Sequence, residues 1–469
     1  MSDRAPGVGG RWTRSRAAGA GAVASAALLV AGGLLGRPDV AVLGAAPLVA
    51  AAWDLWRRPS GELTVRLTGW SDGAAADADP EGAGSVPDAA RGSADTATGR
   101  ADAATARPGA VRARVLLDAP PGMTAALVGV RRAGRDAAEL LVRVDRTRTL
   151  PVVVRTVRTG PQEVATVDAQ GIGSGAASIG EPTDPVGRTA LVLPSPSALR
   201  DLPLPPRLRG LTGAHTSRRP GEGGDLRDVH MFAPGDRLRR IDWRVTARRA
   251  PDLRELYVRR EHALAEAVVL LVVDSRDDVG PDPRTWRGAE GPRAQDPTSL
   301  DLGRHAAASL AQRYLAAGDR VGLDDLGARR RPLPPGGGRR QLDRTRPARA
   351  VTPPGGEPPK RLRPPQIPSG ALVVVFSTFL DDEASRVAGR WRRAGHRVIA
   401  VDVLPDVRDR HLDDRERLAP RIVRLGREDR LAELADLAVG VVSWRDDPAV
   451  TLAGLARRGR RRPGAGGPA

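Results

Sequence analysis

The chain contains no cysteine and very little lysine or aromatic side chain. The absence of cysteine from its 469 residues excludes disulfides, thiolate metal sites and cysteine nucleophiles. Aromatic residues make up 3% of the sequence, so its hydrophobic cores must consist mainly of valine, leucine and alanine. Lys360 is the only lysine, and arginine therefore carries almost all of the positive charge.

The sequence also lacks the motifs of common hydrolases and nucleotide-binding proteins. It contains neither a Gly-x-Ser-x-Gly elbow nor a P-loop. It has no zinc-finger spacing and no basic platform with interleaved aromatics, so we do not predict a nucleic-acid partner. The formal net charge is +18, and we interpret this excess as suited to an anionic membrane surface.

Two apolar runs near the amino terminus predict a transmembrane hairpin over residues 17–58. Residues 17–36 carry no charge and are long enough to cross a bilayer, and residues 40–53 are apolar again. Basic residues flank both outer ends, so residues 1–16 form a basic tail and both termini lie in the cytoplasm. Two alternatives stay open: a signal peptide cleaved after the first run, and a hydrophobic hairpin of a soluble protein.

Short alternating runs between residues 61 and 193 predict a small antiparallel β-sandwich. Residues 71–110 contain almost no large apolar side chain, and we interpret them as a disordered insertion in this module. Residues 194–209 are rich in proline and predict an extended connector to the next domain.

Residues 250–456 have the pattern of a doubly wound α/β domain. Continuous apolar runs at residues 266–274, 371–377 and 396–404 predict buried strands, and helical patterns lie between them. We also predict short strands at residues 253–258 and 421–425. The Pro-, Gly- and Arg-rich residues 327–370 predict a mobile loop, and residues 457–469 predict a disordered basic tail.

Residues 210–249, here called the signature stretch, combine glycine, arginine and aspartate. The Gly-rich first part, residues 210–224, predicts a loop. From Pro234 onward, Asp236 can cap a helix that places Leu238, Ile241 and Val245 on one face. Four aspartates lie among nine arginines, namely Asp225, Asp228, Asp236 and Asp242. We interpret the stretch as an ion-paired structural knot, with a docking surface and an active site as the alternatives.

The signature stretch closely resembles that of the bacterial domain-of-unknown-function 58 (DUF 58) family. The matching residues are Gly213, His215, Ser217, Arg218, Arg219, Gly221, Gly223, Asp228, Val229, Pro234, Gly235, Asp236, Arg239, Ile241, Asp242, Trp243, Thr246, Ala247 and Arg248. The resemblance implies a von Willebrand factor A-like α/β domain, tethering to the cell membrane and association with an AAA+ ATPase of the MoxR type. No catalytic activity is established for the family.

These observations predict a non-catalytic adaptor that is anchored in the membrane and docks a protein partner. The expected docking residues are His215, Ser217, Arg218, Arg219, Gly221, Asp228, Pro234, Gly235, Asp236, Arg239, Asp242, Trp243 and Arg248. Two other functions stay open: a hydrolase or phosphate-binding enzyme centred on His215–Arg219, and an arginine-driven nucleic-acid binder. The sequence predicts membrane lipid and an AAA+ ATPase as partners and does not indicate an oligomeric state.

The same resemblance raises the question of a metal ion. Von Willebrand A domains that bind Mg²⁺ use Asp-x-Ser-x-Ser after the first buried strand, because hydroxyl and carboxylate oxygens suit this cation. Here the residues are Asp274-Ser275-Arg276-Asp277-Asp278, so an arginine and an aspartate replace the two serines. We therefore predict no metal and no cofactor, with Asp274 and Asp278 as the candidate ligands if one binds.

Overall fold

The computed structural model describes residues 11–72, 109–132, 137–210, 213–286, 291–293, 295–328, 331–351 and 367–461. They form two compact units. The described part of the first unit runs from residue 11 to 72, 109 to 156 and 161 to 192. The second unit contains residues 157–160 and the described residues after 192.

The first unit begins with a short strand, β1 (Trp12–Arg14), and two helices, α1 (Arg16–Leu34) and α2 (Pro38–Trp56). Ser15 caps α1, and Pro38 is the first residue of α2. Proline lacks an N–H, but the N–H at this position has no partner within the helix. The helices pack closely at Gly32 and Gly44, where a Cβ would overlap the backbone of the facing helix. Within the described residues, α1 alone is long and apolar enough to qualify as a candidate membrane span.

The rest of the first unit is a sandwich of two antiparallel sheets. Its strands are β2 (Thr64–Asp72), β3 (Gly109–Asp118), β4 (Met123–Arg131), β5 (Ala137–Arg143), β6 (Thr147–Thr156), β7 (Gly160–Gly173), β8 (Ser178–Gly180) and β9 (Val186–Val192). One sheet has the order β1-β8-β7-β4-β5 with β9 on β7, and the other has β2-β3-β6. Alternate residues of both sheets, such as Val115 and Val128, share one core.

The amino-terminal tail and the insertion predicted for this unit both differ from the structure at their ends. Residues 1–16 were expected to form only a basic tail, but Trp12–Arg14 pairs with β8, and Trp12 is buried and donates its Nε1–H to the carbonyl of Gly61. One aromatic side chain therefore fixes a segment that has no apolar run. The first two and last two residues of the predicted insertion at 71–110 belong to β2 and β3, and residues 73–108 fall outside the described part of the chain.

The second unit is built on a six-stranded sheet. Its strands are β12 (Val268–Val273), β13 (Arg320–Asp325), β14 (Leu333–Gly336), β15 (Leu372–Ser377), β16 (Arg397–Asp402) and β17 (Gly440–Ser443). Their order is β14-β13-β12-β15-β16-β17, and all neighbours are parallel except the edge strand β14. The chain therefore winds outward in both directions from β12, as in a doubly wound fold.

Helices cover both faces of this sheet. They are α4 (Ser299–Ala316), α5 (Gly338–Val351), α6 (Asp382–Arg393), α7 (Asp414–Asp436) and α8 (Pro448–Arg461). Alternate strand residues point to opposite layers, so Leu271 joins a core with α4 and α8, whereas Leu270 joins one with α6 and α7. The predicted connector contains no helix or strand, and its Leu199 and Leu202 complete the first of these cores.

Three local predictions in this unit were wrong. Residues 421–425 lie inside α7, because Asp413 and Glu416 form a capping box that starts a helix well before them. The loop predicted at 327–370 contains β14 and α5, where buried Gln341 donates to the carbonyl of Val321; residues 352–366 are outside the described chain. The predicted tail is helical as far as Arg461, the end of α8.

Candidate functional site

The signature stretch forms most of a long antiparallel arm. Its strands are β10 (His215–Met231) and β11 (Tyr257–Ala265), and we call them and the segment 232–256 between them the signature arm. The prediction of a loop over residues 210–224 was therefore wrong from His215 onward. The predicted strand at 253–258 was displaced, since β11 begins at Tyr257.

The glycines of β10 serve close approach between the strands. A Cβ at Gly221 would overlap the backbone and side chain of Ala263, and one at Gly223 would overlap the carbonyl of His262. The register shifts between Thr216 and Pro220 and again beyond Gly221, so the ladder is irregular. Glycine is common here because the opposite strand occupies the space of a side chain.

His215 ties the start of the arm to the sheet of the same unit. Its Nε2 lies 2.9 Å from Oδ1 and 3.1 Å from Oδ2 of Asp319. Asp319 is buried, and its Oδ1 also accepts the backbone N–H of Ala267, next to the start of β12. These contacts are those of a structural histidine.

The neighbouring polar residues do not join His215 in a catalytic arrangement. The buried Ser217 Oγ accepts the backbone N–H of Arg219 at 3.2 Å, while the Arg219 side chain is exposed. Arg218 lies in β10 between them. His215 and Ser217 therefore bond to different partners, and neither arrangement matches a nucleophile with its base.

Pro234, Gly235 and Asp236 form a tight turn after β10. The N–H of Asp236 donates to the carbonyl of Ala233 at 3.0 Å, and Gly235 has a φ of 101°, which disfavours other residues. The Asp236 carboxylate accepts the N–H of Ala233 at 3.0 Å. This bond lowers the pKa of Asp236 and burial opposes it, but with the added attraction of nearby Arg260 the pKa is held below its ordinary value.

The helix of the signature stretch is shorter than predicted, and Asp242, not Asp236, caps it. Helix α3 covers Trp243–Arg249, and Asp242 Oδ1 accepts the N–H groups of Arg244 and Val245, each at 3.1 Å. Leu238–Arg240 forms a separate 3₁₀ turn. The buried Thr246 accepts the N–H of Tyr257 at 3.0 Å and holds α3 against β11.

The arm presents large apolar and basic side chains to solvent. Trp243 is 61% exposed and Leu238 is 68% exposed. Arg239 and Arg248 are exposed nearby in the sequence, and we call these four residues the signature face. Asp228 is also exposed and pairs only loosely with Arg227, at 3.6 Å.

The acid that pairs with the arginines of the stretch was not among the predicted residues. Glu222, in β10, contacts Arg237 and lies 3.5 Å from Arg239 and 3.2 Å from Arg240. Of the four predicted aspartates, Asp225 bonds to Thr216 and Asp228 pairs with Arg227. The other two accept backbone N–H groups and lie near arginines of β11. The expected knot is therefore a set of separate, largely exposed contacts.

A second polar cluster lies where the winding direction of the sheet reverses, between the carboxyl ends of β12 and β15. The Arg276 guanidinium forms two hydrogen bonds to Asp274, both at 2.8 Å, and also binds Asp381, with one bond at 2.9 Å. Ser377 Oγ donates to Asp274 at 2.7 Å. Burial lowers the pKa of Arg276, but the bonds to Asp274 and Asp381 outweigh it, so the pKa is raised. We call this the switch-point cluster.

Asp278 lies apart from Asp274 and has its own partners. It accepts the N–H of Leu300 at 3.3 Å, at the start of α4, and lies 3.5 Å from Arg158. Burial raises the pKa of Asp278, and the charge of nearby Asp301 adds to the effect. Among the residues described, no three or more acidic or histidine side chains are grouped so that they could hold a metal ion.

Other strands of this sheet also end in carboxylates that the sequence analysis did not single out. Buried Asp402 ends β16 and pairs with Arg427 of α7, which also donates to the carbonyl of Thr378 at 2.8 Å. Asp325 ends β13 and accepts the hydroxyl of Ser275. The aspartates at the ends of β13 and β16 were visible in the sequence, but their partners, Ser275 and Arg427, were not.

One known protein family matches part of the second unit. Residues 228–419 match the family described as protein of unknown function DUF58. The match begins within β10, covers the rest of the signature arm and the switch-point cluster, and ends within α7. It therefore agrees with the resemblance inferred from the signature stretch. Neither the curated proteins nor the solved structures contain a significant match to the chain.

Proposed function

We propose that this protein is a non-catalytic adaptor, anchored in the cell membrane, that docks a cytoplasmic protein partner through its signature face. The observation that carries the proposal is the exposure of Trp243 and Leu238, together with that of Arg239 and Arg248 in the same stretch. Tryptophan and arginine are enriched among binding hot spots, and burying Trp243 on a partner would add to affinity. The neighbouring Asp242 cap holds the tryptophan on a defined helix, so little order would be lost on binding.

The membrane anchor in this proposal is a hairpin of α1 and α2. Both helices expose large apolar side chains, including Val23, Leu34 and Val42. Small residues at their contact are typical of helix pairs in a bilayer, where packing replaces the hydrophobic effect. Trp53 and Trp56 are exposed near the end of α2, as expected for an aromatic belt at the interface.

The absence of native cysteine allows a direct test of this anchor. A single cysteine at Leu35, in the turn between the helices, is expected to react in intact cells with a membrane-impermeant maleimide. A matched cysteine at Ser385, a partly exposed position on α6, is expected to react only after lysis. Labelling of Ser385→Cys in intact cells would contradict the proposed topology.

The partner we propose is an AAA+ ATPase of the MoxR type. Its support is the resemblance of the signature stretch, the match of residues 228–419 to the DUF58 family, and a sheet order compatible with a von Willebrand factor A-like domain. In this role the second unit provides a rigid platform, and the signature arm provides the contact.

Pull-down from native membranes tests the docking proposal. The full chain is expected to recover an AAA+ ATPase, and Trp243→Ala is expected to reduce recovery at least tenfold, consistent with the loss of a hot spot. Val450→Ala removes another exposed apolar side chain, 62% exposed on α8, and is expected to leave recovery unchanged. Equal recovery by Trp243→Ala and the wild type would contradict the proposed face.

A further inference from the structure

The switch-point cluster occupies the position at which an open α/β sheet usually binds its ligand. In von Willebrand A domains that bind Mg²⁺, an aspartate and hydroxyl groups at this position hold the ion. In this chain, however, Arg276 stands at the position of the first serine and projects its guanidinium onto the same carboxylates. The residues present therefore do not fit a divalent ion.

The ligands that such an ion would need are already engaged. Both oxygens of Asp274 accept from Arg276, and Oδ2 also accepts from Ser377 Oγ at 2.7 Å. Ser377 Oγ in turn accepts the backbone N–H of Phe379 at 3.1 Å. Both oxygens of Asp381 accept from Arg276 as well, although this carboxylate is half-exposed.

The charge of the cluster also opposes a second cation. A guanidinium cannot lose its proton under physiological conditions, so Arg276 keeps its positive charge. Its side chain is only 11% exposed, and that of Asp274 only 6%, so water screens this site poorly. A divalent ion would have to displace Arg276 or lie beside its charge at close range.

We propose that the guanidinium of Arg276 is the resident cation of this crevice, bridging Asp274 and Asp381 in place of a divalent metal ion. The crevice of this chain is accordingly independent of divalent cations. It follows that removal of the guanidinium, with the carboxylates retained, creates a cation site from Asp274, Ser377 and Asp381.

Manganese binding to the detergent-solubilised full chain tests this inference. With Mn²⁺ as the probe, titration calorimetry and electron paramagnetic resonance are expected to detect no saturable site in the wild type that depends on Asp274. Arg276→Ser is expected to gain one site, and adding Asp274→Asn is expected to abolish it. Arg284→Ser, which removes an exposed arginine paired with Glu416, is the matched control and is expected to gain none.

Thermal melting gives a second measurement that does not depend on detecting the bound ion. The melting temperature of Arg276→Ser is expected to rise with Mn²⁺, whereas that of the wild type is expected to be the same in Mn²⁺ and in chelator. If Arg276→Ser does not fold, Arg276→Lys keeps a cation and is expected to fold without binding Mn²⁺. Saturable Mn²⁺ binding to the wild type that is lost in Asp274→Asn would overturn the inference, as would a folded Arg276→Ser without a site.

Discussion

The signature arm and the switch-point cluster use the same residue types in different surroundings. On the arm, Glu222 and Arg237 contact each other with side chains 53% and 58% exposed. In the cluster, Asp274 and Arg276 are 6% and 11% exposed and share two hydrogen bonds. Water and salt weaken the first pair, whereas the second is protected from both.

This difference decides what each region can do. Arginines on the arm are loosely held and can exchange an intramolecular partner for an external one at little cost. Arginines that reach the carboxyl ends of the strands are paired with buried carboxylates: Arg276 with Asp274, and Arg427 of α7 with Asp402. The density of charges in a sequence therefore does not indicate which charges are available for binding.

The largest effect is expected where a buried pair loses its cation. Arg427→Ala leaves the buried Asp402 carboxylate without its closest partner and is expected to lower the free energy of unfolding by about 3–5 kcal/mol. Hydrogen exchange of the β15 and β16 amides in the full chain measures this effect on the second unit alone.

The matched exposed variant sharpens the comparison. Arg237→Ala removes a cation from Glu222 on the arm and is expected to cost less than about 1 kcal/mol. Similar losses for Arg427→Ala and Arg237→Ala would show that burial does not separate the two regions.

An intermediate effect is expected at the cap of α3. Asp242→Ala removes the acceptor of two backbone N–H groups and is expected to cost about 1 kcal/mol, seen as faster hydrogen exchange within α3. Asp242→Asn can still cap the helix and is expected to retain most of the protection. If both variants exchange like the wild type, Asp242 does not hold Trp243 in place.

The smallest expected effect is a dependence on pH at the end of β13. Burial raises the pKa of Asp325 above its ordinary value of 3.8, against opposing hydrogen bonds from Ser275 and Gly327. The folded state therefore binds the proton more tightly, and stability is lost as the pH rises through the folded pKa. Asp325→Asn cannot titrate, so its stability relative to the wild type is expected to increase from pH 4 to pH 7.

Melting temperatures of both proteins at several pH values test this sign. A relative stability of Asp325→Asn that falls over the same interval would mean that the carboxylate is favoured by its surroundings. In that case Asp325 would resemble Asp236 on the arm, whose pKa is lowered.

The buried strands of the second unit were the most predictable part of the fold. Strands β12 and β15 are continuous apolar runs that can be stable only when both faces are covered, so local sequence was sufficient. Strand β10 was not predictable, because its glycine and arginine residues show no alternation. Its ladder depends on β11, and the 25 residues 232–256 separate the two strands.

The site was predictable only in part for the same reason. The sequence indicated that Arg276 does not suit a metal site beside Asp274. It did not indicate that the guanidinium binds Asp381, because that contact joins loops separated by 105 residues. Likewise, the Asp242 cap is recognisable only once Leu238–Arg240 is known to form a separate turn.

Site-specific photocrosslinking in cells tests the central claim most directly. A photoreactive amino acid at Leu238, on the signature face, is expected to capture an AAA+ ATPase, whereas one at Asp381, in the switch-point cluster, is expected to capture none. The result that would contradict the account is capture of the ATPase from position 381 and not from position 238.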